Sequence, residues 1–148
     1  MTETAPKRVL AIDYGRRRMG LALSDELGCT AQPLAILVRR NRSSDLRRLR
    51  DLCRERKVSQ VVVGYPVHMS GEAGAMAEEA ARFAARLERE LGIPVDLQDE
   101  RLTSWEAKQM AWEAKAKRGP LDDVAAAIVL REYLERQCGG PSARAKKD

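Results

Sequence analysis

The sequence lacks any hydrophobic run long enough to cross a membrane. No apolar stretch approaches the roughly 18–20 residues of a transmembrane helix. Residues 1–7 also lack the apolar segment of a signal peptide. The composition therefore favours neither a membrane protein nor a secreted protein, and we expect a cytoplasmic protein without membrane contact.

Cysteine and histidine are both scarce, which argues against several kinds of site. The three cysteines, Cys29, Cys53 and Cys138, are odd in number and far apart, as is typical of reduced thiols. Because there is no Cys-x-x-Cys pair and His68 is the only histidine, a structural zinc site is not expected. A Ser-His-Asp hydrolase would need an activated serine beside His68, and no Gly-x-Ser-x-Gly turn occurs. We interpret His68 as a loop residue.

Positive charge is in moderate excess and is locally concentrated. Lys and Arg number 27 against 22 Asp and Glu, which gives a formal net charge of +5. Arginine is densest at Arg16–Arg18, Arg39–Arg42 and Arg47–Arg48, and Lys115–Arg118 forms a further basic segment. Such patches attract phosphate-rich partners, although charged residues also serve simply to solvate helix faces. The loop position of Arg16–Arg18 favours a phosphate contact there.

Length and hydrophobic content predict a single globular domain over residues 1–138. The chain has 148 residues, of which 44% are hydrophobic, and this is enough for a core of its own. Residues 139–148 form a basic segment of Gly, Pro, Ser, Ala, Arg and Lys, which we expect to be disordered. No internal repeat and no linker divides the remainder.

Hydrophobic patterning predicts strands and helices in the order β-β-β-α-β-α-β-α-α. The first two strands are joined by a short Gly-flanked connection and should pair antiparallel, whereas later strands alternate with helices. This order predicts an α/β fold in which a five-stranded mixed sheet has helices on both faces. The predicted strands are Arg8–Asp13, Gly20–Ser24, Leu34–Val38, Val61–Val63 and Ile93–Gln98. The predicted helices begin at Ser43–Asp45, Met76, Thr103 and Leu121, and the second and fourth end at Leu91 and Gln137.

Three acidic residues occupy the ends of three separate elements. Asp13 ends the first strand, Glu100 ends the fifth, and Asp122 opens the last helix. Because open α/β sheets bind ligands beyond the carboxyl ends of their parallel strands, Asp13 and Glu100 should share one site. The mutual repulsion of the three carboxylates would be costly without divalent cations, and two such cations can clamp both oxygens of a phosphodiester displacement. Each residue also has a structural interpretation, in an Asx turn or near a helix N-terminus.

Four motifs, in order along one domain, resemble those of the YqgF family. They are Asp13-x-Gly15-x-x-Arg18-x-Gly20, Val63-Gly64-x-Pro66, Asp99-Glu100-Arg101-Leu102-Thr103-Ser104 and Leu121-Asp122-x-x-Ala125-Ala126. Members of this family are called pre-16S rRNA nucleases or Holliday junction resolvases. The resemblance extends over roughly Arg8 to Gln137, which is nearly the whole predicted domain.

The resemblance implies a ribonuclease H-like fold and hydrolysis of phosphodiester bonds with Mg²⁺ or Mn²⁺. It also implies that Asp13, Glu100 and Asp122 are the catalytic carboxylates and the metal ligands. Asp123 directly follows Asp122 and leaves the third carboxylate open between the two, although register with the family favours Asp122. In resolvases with an Asp-x-x-Asp pair the second carboxylate would fall on Ala125, so the number of tightly bound metals also stays open.

Nucleic acid is the expected partner, with RNA favoured and DNA possible. The candidate phosphate contacts are Arg16, Arg17, Arg18, Arg101, Lys117 and Arg118. Because phosphate contacts carry no sequence information and no base-reading motif is visible, the choice between RNA and DNA stays open. The choice between endonuclease and exonuclease action stays open as well.

The leading hypothesis is a nuclease that processes the 5′ end of precursor 16S rRNA. Cleavage of DNA four-way junctions would use the same residues but would need two active sites in a symmetric homodimer, whereas a monomer could cut RNA. A sugar-kinase or actin-like ATPase is a weaker alternative, because its phosphate-binding hairpin resembles the Asp13 turn but its cleft needs a second domain. A non-catalytic nucleic-acid-binding module, in which the three carboxylates are dispensable, is the remaining alternative.

Overall fold

The computed structural model describes residues 8–65, 73–99 and 122–138, and within them five strands and three helices. The strands are β1 (Arg8–Asp13), β2 (Arg18–Ser24), β3 (Ala31–Val38), β4 (Val58–Tyr65) and β5 (Val95–Asp99). The helices are α1 (Arg42–Arg56), α2 (Ala73–Leu91) and α3 (Asp122–Cys138). The predicted helix at Thr103 and the predicted disordered segment 139–148 lie outside the described residues.

The five strands form one mixed sheet in the order β3-β2-β1-β4-β5. β1 pairs antiparallel with β2, and β2 pairs antiparallel with β3. β1 pairs parallel with β4, and β4 pairs parallel with β5. The predicted hairpin and the predicted mixed sheet are therefore confirmed. The three parallel strands end at the same side of the sheet, which we call the carboxyl edge.

Alternate side chains of β1 enter two separate hydrophobic cores, one on each face of the sheet. Leu10 and Ile12 pack in a core with residues of α1 and α2, whereas Val9 and Ala11 pack in a core with residues of α3. The helical members of the first core include Leu46, Leu49, Cys53, Ala80, Phe83 and Leu87, and those of the second include Ala126, Val129, Leu130, Tyr133 and Leu134. The prediction of helices on both faces is confirmed.

The second helix follows its predicted amphipathic pattern. Ala80, Phe83 and Leu87 are buried at helical spacing. The helix is followed by Gly92, which has φ +74° and donates its N–H to the Glu88 carbonyl at 2.8 Å. Glycine adopts this left-handed conformation without steric cost, so the predicted stop at Gly92 is confirmed. Among the described helices, none is both long enough and apolar enough to span a membrane.

Helix α1 begins earlier than its predicted cap. We predicted that Ser43–Asp45 would cap it, but the cap is Asn41, whose side-chain oxygen accepts the Ser44 N–H at 2.8 Å. Asn41 satisfies a backbone donor that has no partner within the first turn of a helix. The predicted cap was therefore wrong, and Asp45 lies inside the helix instead.

Three of the strands are longer than their hydrophobic patterns predicted. β2 begins at Arg18 instead of Gly20, β3 begins at Ala31 instead of Leu34, and β4 extends over Val58–Tyr65 instead of Val61–Val63. β5, in contrast, begins at Val95 instead of Ile93. β3 is an edge strand with mostly exposed side chains, so its first residues carry no apolar alternation that could mark the start. The backbone pairing of β3 with β2 extends over these residues and sets the actual boundary.

Asp45 is a buried carboxylate that joins the start of α1 to the end of β3. Its side chain is 1% exposed and accepts hydrogen bonds from Arg39 at 3.2 Å and from Arg48 at 2.8 Å. The backbone N–H of Arg40 donates to it at 3.1 Å. Burial alone would raise the pKa of Asp45, but the Arg40 N–H and the two guanidinium groups outweigh it and hold the pKa below its ordinary value.

We predict that Asp45→Asn lowers the free energy of unfolding by about 2–3 kcal/mol, because Arg39 and Arg48 lose a shared counterion. The folded pKa of Asp45 lies below the unfolded value of about 3.9, so its ionised form stabilises the fold above that value. The wild type should lose this contribution as the pH falls below about 4 and through the folded pKa. Urea unfolding across acidic and neutral pH measures both effects.

The matched control for this prediction is Asp51→Asn. Asp51 lies on the same helix, but its side chain is 65% exposed and its nearest Arg50 nitrogen is 3.6 Å away. The control should change the free energy of unfolding by well under about 1 kcal/mol. An equal loss of stability in the two variants would contradict the role assigned to Asp45.

Candidate functional site

Asp13 lies at the carboxyl edge, and the residue beside it on each neighbouring strand is a glycine. Its Cα is in register with Gly20 on β2 and with Gly64 on β4. By strand alternation Asp13 belongs to the same face as Val9 and Ala11, which is the face covered by α3. Because glycine has no side chain, neither flanking position places a side chain beside Asp13.

A tight turn follows Asp13 and presents three exposed arginines. The Tyr14 N–H donates to the Gly64 carbonyl at 2.9 Å, which ties the start of the turn to β4. A Cβ on Gly15 would overlap the Arg18 carbonyl oxygen, so the turn closes only with glycine at this position. Arg16, Arg17 and Arg18 are exposed beyond it. Their predicted role as phosphate contacts needs this exposure.

The direction of α3 follows from two hydrogen bonds to β5. Gln98 donates its side-chain N–H to the Val129 carbonyl at 3.1 Å, and the Tyr133 hydroxyl donates to Asp96 at 2.7 Å. Higher residue numbers on β5 thus face lower numbers on α3, and the two elements run antiparallel. Burial and the hydrogen bond to Asp96 raise the pKa of Tyr133, so its hydroxyl stays a donor. The first residue of α3, Asp122, therefore lies towards the carboxyl edge.

The spacing of these contacts agrees with ordinary helix and strand geometry. Two residues of β5 advance about 6.6 Å, and four residues of α3 advance about 6 Å, so the two elements stay in step. Arg136 also donates to Gln98, which gives this glutamine partners on two turns of α3. Gln98 is 2% exposed. Its burial between these partners fixes α3 along the sheet.

The structure describes only part of the predicted site. Glu100, Arg101, Lys117, Arg118 and His68 lie outside the described residues. Asp122 and Asp123 begin α3, but their side chains are outside the described part as well.

Within residues 8–65, 73–99 and 122–138, no three His, Cys, Asp or Glu side chains converge on a possible metal position. Of the three predicted ligands, Asp13 is the one whose side chain is described. Carboxylate oxygens are the ligands that hard divalent cations such as Mg²⁺ or Mn²⁺ prefer. The Asp13 side chain, with a glycine in register on each neighbouring strand, therefore fits the metal that the resemblance implies.

One predicted phosphate contact is paired with a carboxylate from α2. The Arg16 guanidinium donates to both oxygens of Glu79, with distances of 3.0 Å from Nε and 2.5 Å from Nη2. The Tyr14 hydroxyl donates to the same carboxylate at 3.5 Å. The hydrogen bonds from Arg16 hold the pKa of Glu79 below its ordinary value. A phosphate would have to compete with Glu79 for Arg16.

Sequence reasoning did not identify Glu79 or Arg39 as part of this region. Arg16 and Glu79 are 63 residues apart, and Arg39 reaches Gly15 across 24 residues. Neither pair has a short-range spacing that a single sequence could reveal. The one local signal was the density of arginine near residue 39, which we attributed to phosphate attraction or to solvation.

Comparison with known proteins gives a match over nearly the whole chain. The model of the RuvX family, described as Holliday junction resolvases, matches residues 7–136. A protein of Koribacter versatilis named "Putative pre-16S rRNA nuclease" is 43% identical over 134 residues, which are 88% of either chain. A protein of the same name from Anaeromyxobacter sp. (strain K) is 42% identical over 88% of this chain and 98% of its own.

Solved structures share the fold at low sequence identity. The RuvC of T. thermophilus, solved with a Holliday junction substrate, superposes with a TM-score of 0.60 at 18% identity, over 90% of this chain and 96% of its own. The Fowlpox virus Holliday junction resolvase gives a TM-score of 0.50 at 14% identity, over 88% and 99%. These resolvases have a ribonuclease H-like fold, so the predicted fold class is confirmed.

We predict that Glu79→Gln raises the affinity for a single-stranded oligonucleotide about two- to five-fold. The substitution removes the carboxylate that competes for Arg16, and an exposed ion pair is worth at most about 1 kcal/mol. The affinity is measured by fluorescence anisotropy at several salt concentrations, because phosphate contacts weaken with salt. Glu78→Gln removes the same charge from the adjacent, exposed position and is the control. If both variants gain affinity equally, the Arg16–Glu79 pair has no specific effect.

Proposed function

The chain belongs to the RuvX Holliday junction resolvase family, and from this premise we propose that this nuclease processes the 5′ end of precursor 16S rRNA. The family resemblance and the nuclease activity predicted from the sequence are both confirmed. The proposal of an RNA substrate is supported by relatives over 40% identical that carry the pre-16S rRNA nuclease name. A role in rRNA maturation also fits the predicted cytoplasmic location.

Asp13, Glu100 and Asp122 are the proposed catalytic carboxylates. The observation that carries this assignment is the direction of α3, whose first residue lies towards the edge where β1 ends with Asp13. Asp96 and Gln98 of β5 both bond to α3. Glu100 directly follows β5 in the sequence and is proposed from its position there and from the family motif. Asp122 is preferred over Asp123 on family register alone.

The proposed cofactor is Mg²⁺ or Mn²⁺, held by these three carboxylates. Bound divalent ions would stabilise negative charge on the phosphoryl oxygens. They would also lower the pKa of a bound water, so that it could lose a proton and act as the nucleophile. The protein's part is to hold Asp13 at the strand end, between Gly20 and Gly64 on the two neighbouring strands. Three carboxylates close together would repel one another, and a bound cation would offset this repulsion. This is the reason for expecting the cation.

The exposed arginines of the turn are the proposed contacts to the nucleic-acid backbone. Arg16, Arg17 and Arg18 lie within five residues of Asp13 in the sequence and are exposed to solvent. Contacts to phosphate would fix the strand over the carboxylate without reading its sequence. Arg101, Lys117 and Arg118 are proposed for the same role from the sequence.

A DNA four-way junction is the second candidate substrate. It is favoured by the description of the matching family model and would use the same carboxylates. Cleavage of two opposed strands requires two active sites in a symmetric dimer. A matched set of single-stranded RNA, single-stranded DNA and junction substrates, combined with the molecular mass in solution, separates the two candidates. A monomer that cleaves only RNA would remove the junction candidate.

We predict that Asp13→Asn lowers Mn²⁺-supported cleavage about 1,000-fold or more, while affinity for the RNA changes less than about three-fold. The loss corresponds to about 4 kcal/mol of transition-state stabilisation, which is the scale expected for a metal-assisted step. Single-turnover cleavage of a labelled precursor 5′ leader measures the rate, and anisotropy measures binding. Asp51→Asn, on the exposed side of α1, is the control. Cleavage by purified Asp13→Asn at the wild-type rate would refute the assignment.

We predict that Ca²⁺ supports nucleic-acid binding but not turnover. Ca²⁺ accepts more ligands at longer and more variable distances than Mg²⁺, so it neutralises carboxylates without holding the reacting groups in the required geometry. Cleavage is compared in Mn²⁺, Mg²⁺, Ca²⁺ and EDTA with the same substrate. Cleavage in EDTA or in Ca²⁺ as fast as in Mn²⁺ would contradict a role of the metal in the reaction.

A further inference from the structure

Arg39 holds the turn after Asp13 through both its backbone and its side chain. Its backbone N–H donates to the Arg17 carbonyl at 2.9 Å. Its guanidinium donates to the Gly15 carbonyl at 3.0 Å and to the Tyr14 hydroxyl at 3.3 Å. Three residues of the turn that starts beside Asp13 are therefore tied to one residue, Arg39, which directly follows β3.

Two aromatic rings fix the position of the Arg39 guanidinium. Its Cζ lies 5.3 Å from the centroid of the Tyr14 ring and 5.5 Å from that of Phe83. The two rings are themselves in contact, with centroids 5.4 Å apart. A planar cation that stacks on aromatic faces while it donates in plane has little freedom to rotate. Phe83 belongs to α2, so the turn is held against both α2 and the sheet.

The charge of Arg39 is balanced by Asp45, which Arg48 shares. Arg39 donates to one carboxylate oxygen at 3.2 Å, and Arg48 donates to the other at 2.8 Å. The second interaction of Arg48 is with the Val38 carbonyl at 2.8 Å, away from the turn. The two arginines thus make similar ion pairs with Asp45, but it is Arg39 that contacts Tyr14 and Gly15.

We propose that Arg39 is a positioning residue for phosphodiester cleavage, because it fixes the backbone that follows Asp13 and so sets the direction of the Asp13 carboxylate. The inference rests on the proposed function, in which Asp13 is a catalytic carboxylate. When a residue that holds a metal ligand in place is mutated, metal affinity or activity typically falls about 10- to 100-fold. A displacement of about 1 Å at a reacting group has an effect of the same size.

The test compares Arg39→Gln and Arg39→Lys with Arg48→Gln. Arg39→Gln removes the turn contacts and one ion pair with Asp45, whereas Arg48→Gln removes only an ion pair with the same carboxylate and the bond to Val38. Arg39→Lys keeps a positive charge near Asp45 but cannot reproduce the planar fork of donors. If the glutamine variant does not fold, the lysine variant, which keeps a positive charge beside Asp45, still allows the test.

Three measurements are made on each folded protein, below its unfolding temperature. They are kcat and KM on a single-stranded RNA that the wild type cleaves, the Mn²⁺ dissociation constant by calorimetry, and hydrogen exchange of the Tyr14 amide. That amide donates to the Gly64 carbonyl at 2.9 Å and reports directly on the turn without any metal. The last two measurements do not depend on turnover.

Both Arg39 variants should lose kcat about 10- to 100-fold, with KM changed less than about three-fold. They should also bind Mn²⁺ about 10-fold more weakly and exchange the Tyr14 amide about 10-fold faster, whereas Arg48→Gln stays within about three-fold of the wild type. Equal effects of Arg39→Gln and Arg48→Gln, or wild-type values in the Arg39 variants, would overturn the proposal. If the wild type cleaves no substrate, the proposed function fails, and Mn²⁺ affinity and amide exchange still decide whether Arg39 positions Asp13.

Discussion

Asp13 is held at the carboxyl edge by a strand that cannot slide. Leu10 and Ile12 enter one core while Val9 and Ala11 enter the other, so a shift of β1 by one residue would exchange the two sets and turn Asp13 to the opposite face. Pairing with β2 on one side and β4 on the other fixes the same register twice. These two constraints fix the position of Asp13. The turn after Asp13 and helix α3 are positioned relative to this strand.

The third helix adds a second constraint, from polar rather than apolar contacts. The core beneath it combines small side chains, such as Ala11 and Ala22, with larger ones, such as Leu130. Apolar contacts have no preferred direction, so they do little to choose one helix direction. Gln98 and the Asp96–Tyr133 pair make that choice, because buried polar groups must find partners. An apolar core and a few directional hydrogen bonds together bring the ends of distant elements to one edge.

The described strands and helices could be predicted because apolar residues recur with the period of each element. The place of Asp13 at the end of β1 could be predicted because an apolar run meets a glycine-bounded turn there, whereas its catalytic role stays a prediction. The cap of α1 could not be ranked, because Asn41, Ser43, Ser44 and Asp45 are all residue types that cap helices. Arg48 follows Asp45 at a helical spacing, and a local pattern could have suggested that pair. The pairing of Arg16 with Glu79 depends on how α2 packs against the sheet, so no local pattern could suggest it. The long-range contacts were missed because they exist only after packing.

The turn at Gly15 combines a position that tolerates no side chain with neighbouring positions whose side chains are exposed. Gly15 faces the Arg18 carbonyl with no room for a Cβ, so this close approach of the backbone requires glycine. Arg16, Arg17 and Arg18 are exposed and are not among the side chains of either hydrophobic core. In the proposed function these arginines contact the nucleic-acid backbone, so surface substitutions there would alter the preference for strand shape while Asp13 stays unchanged. On that proposal, these three positions are the starting point for engineering substrate choice.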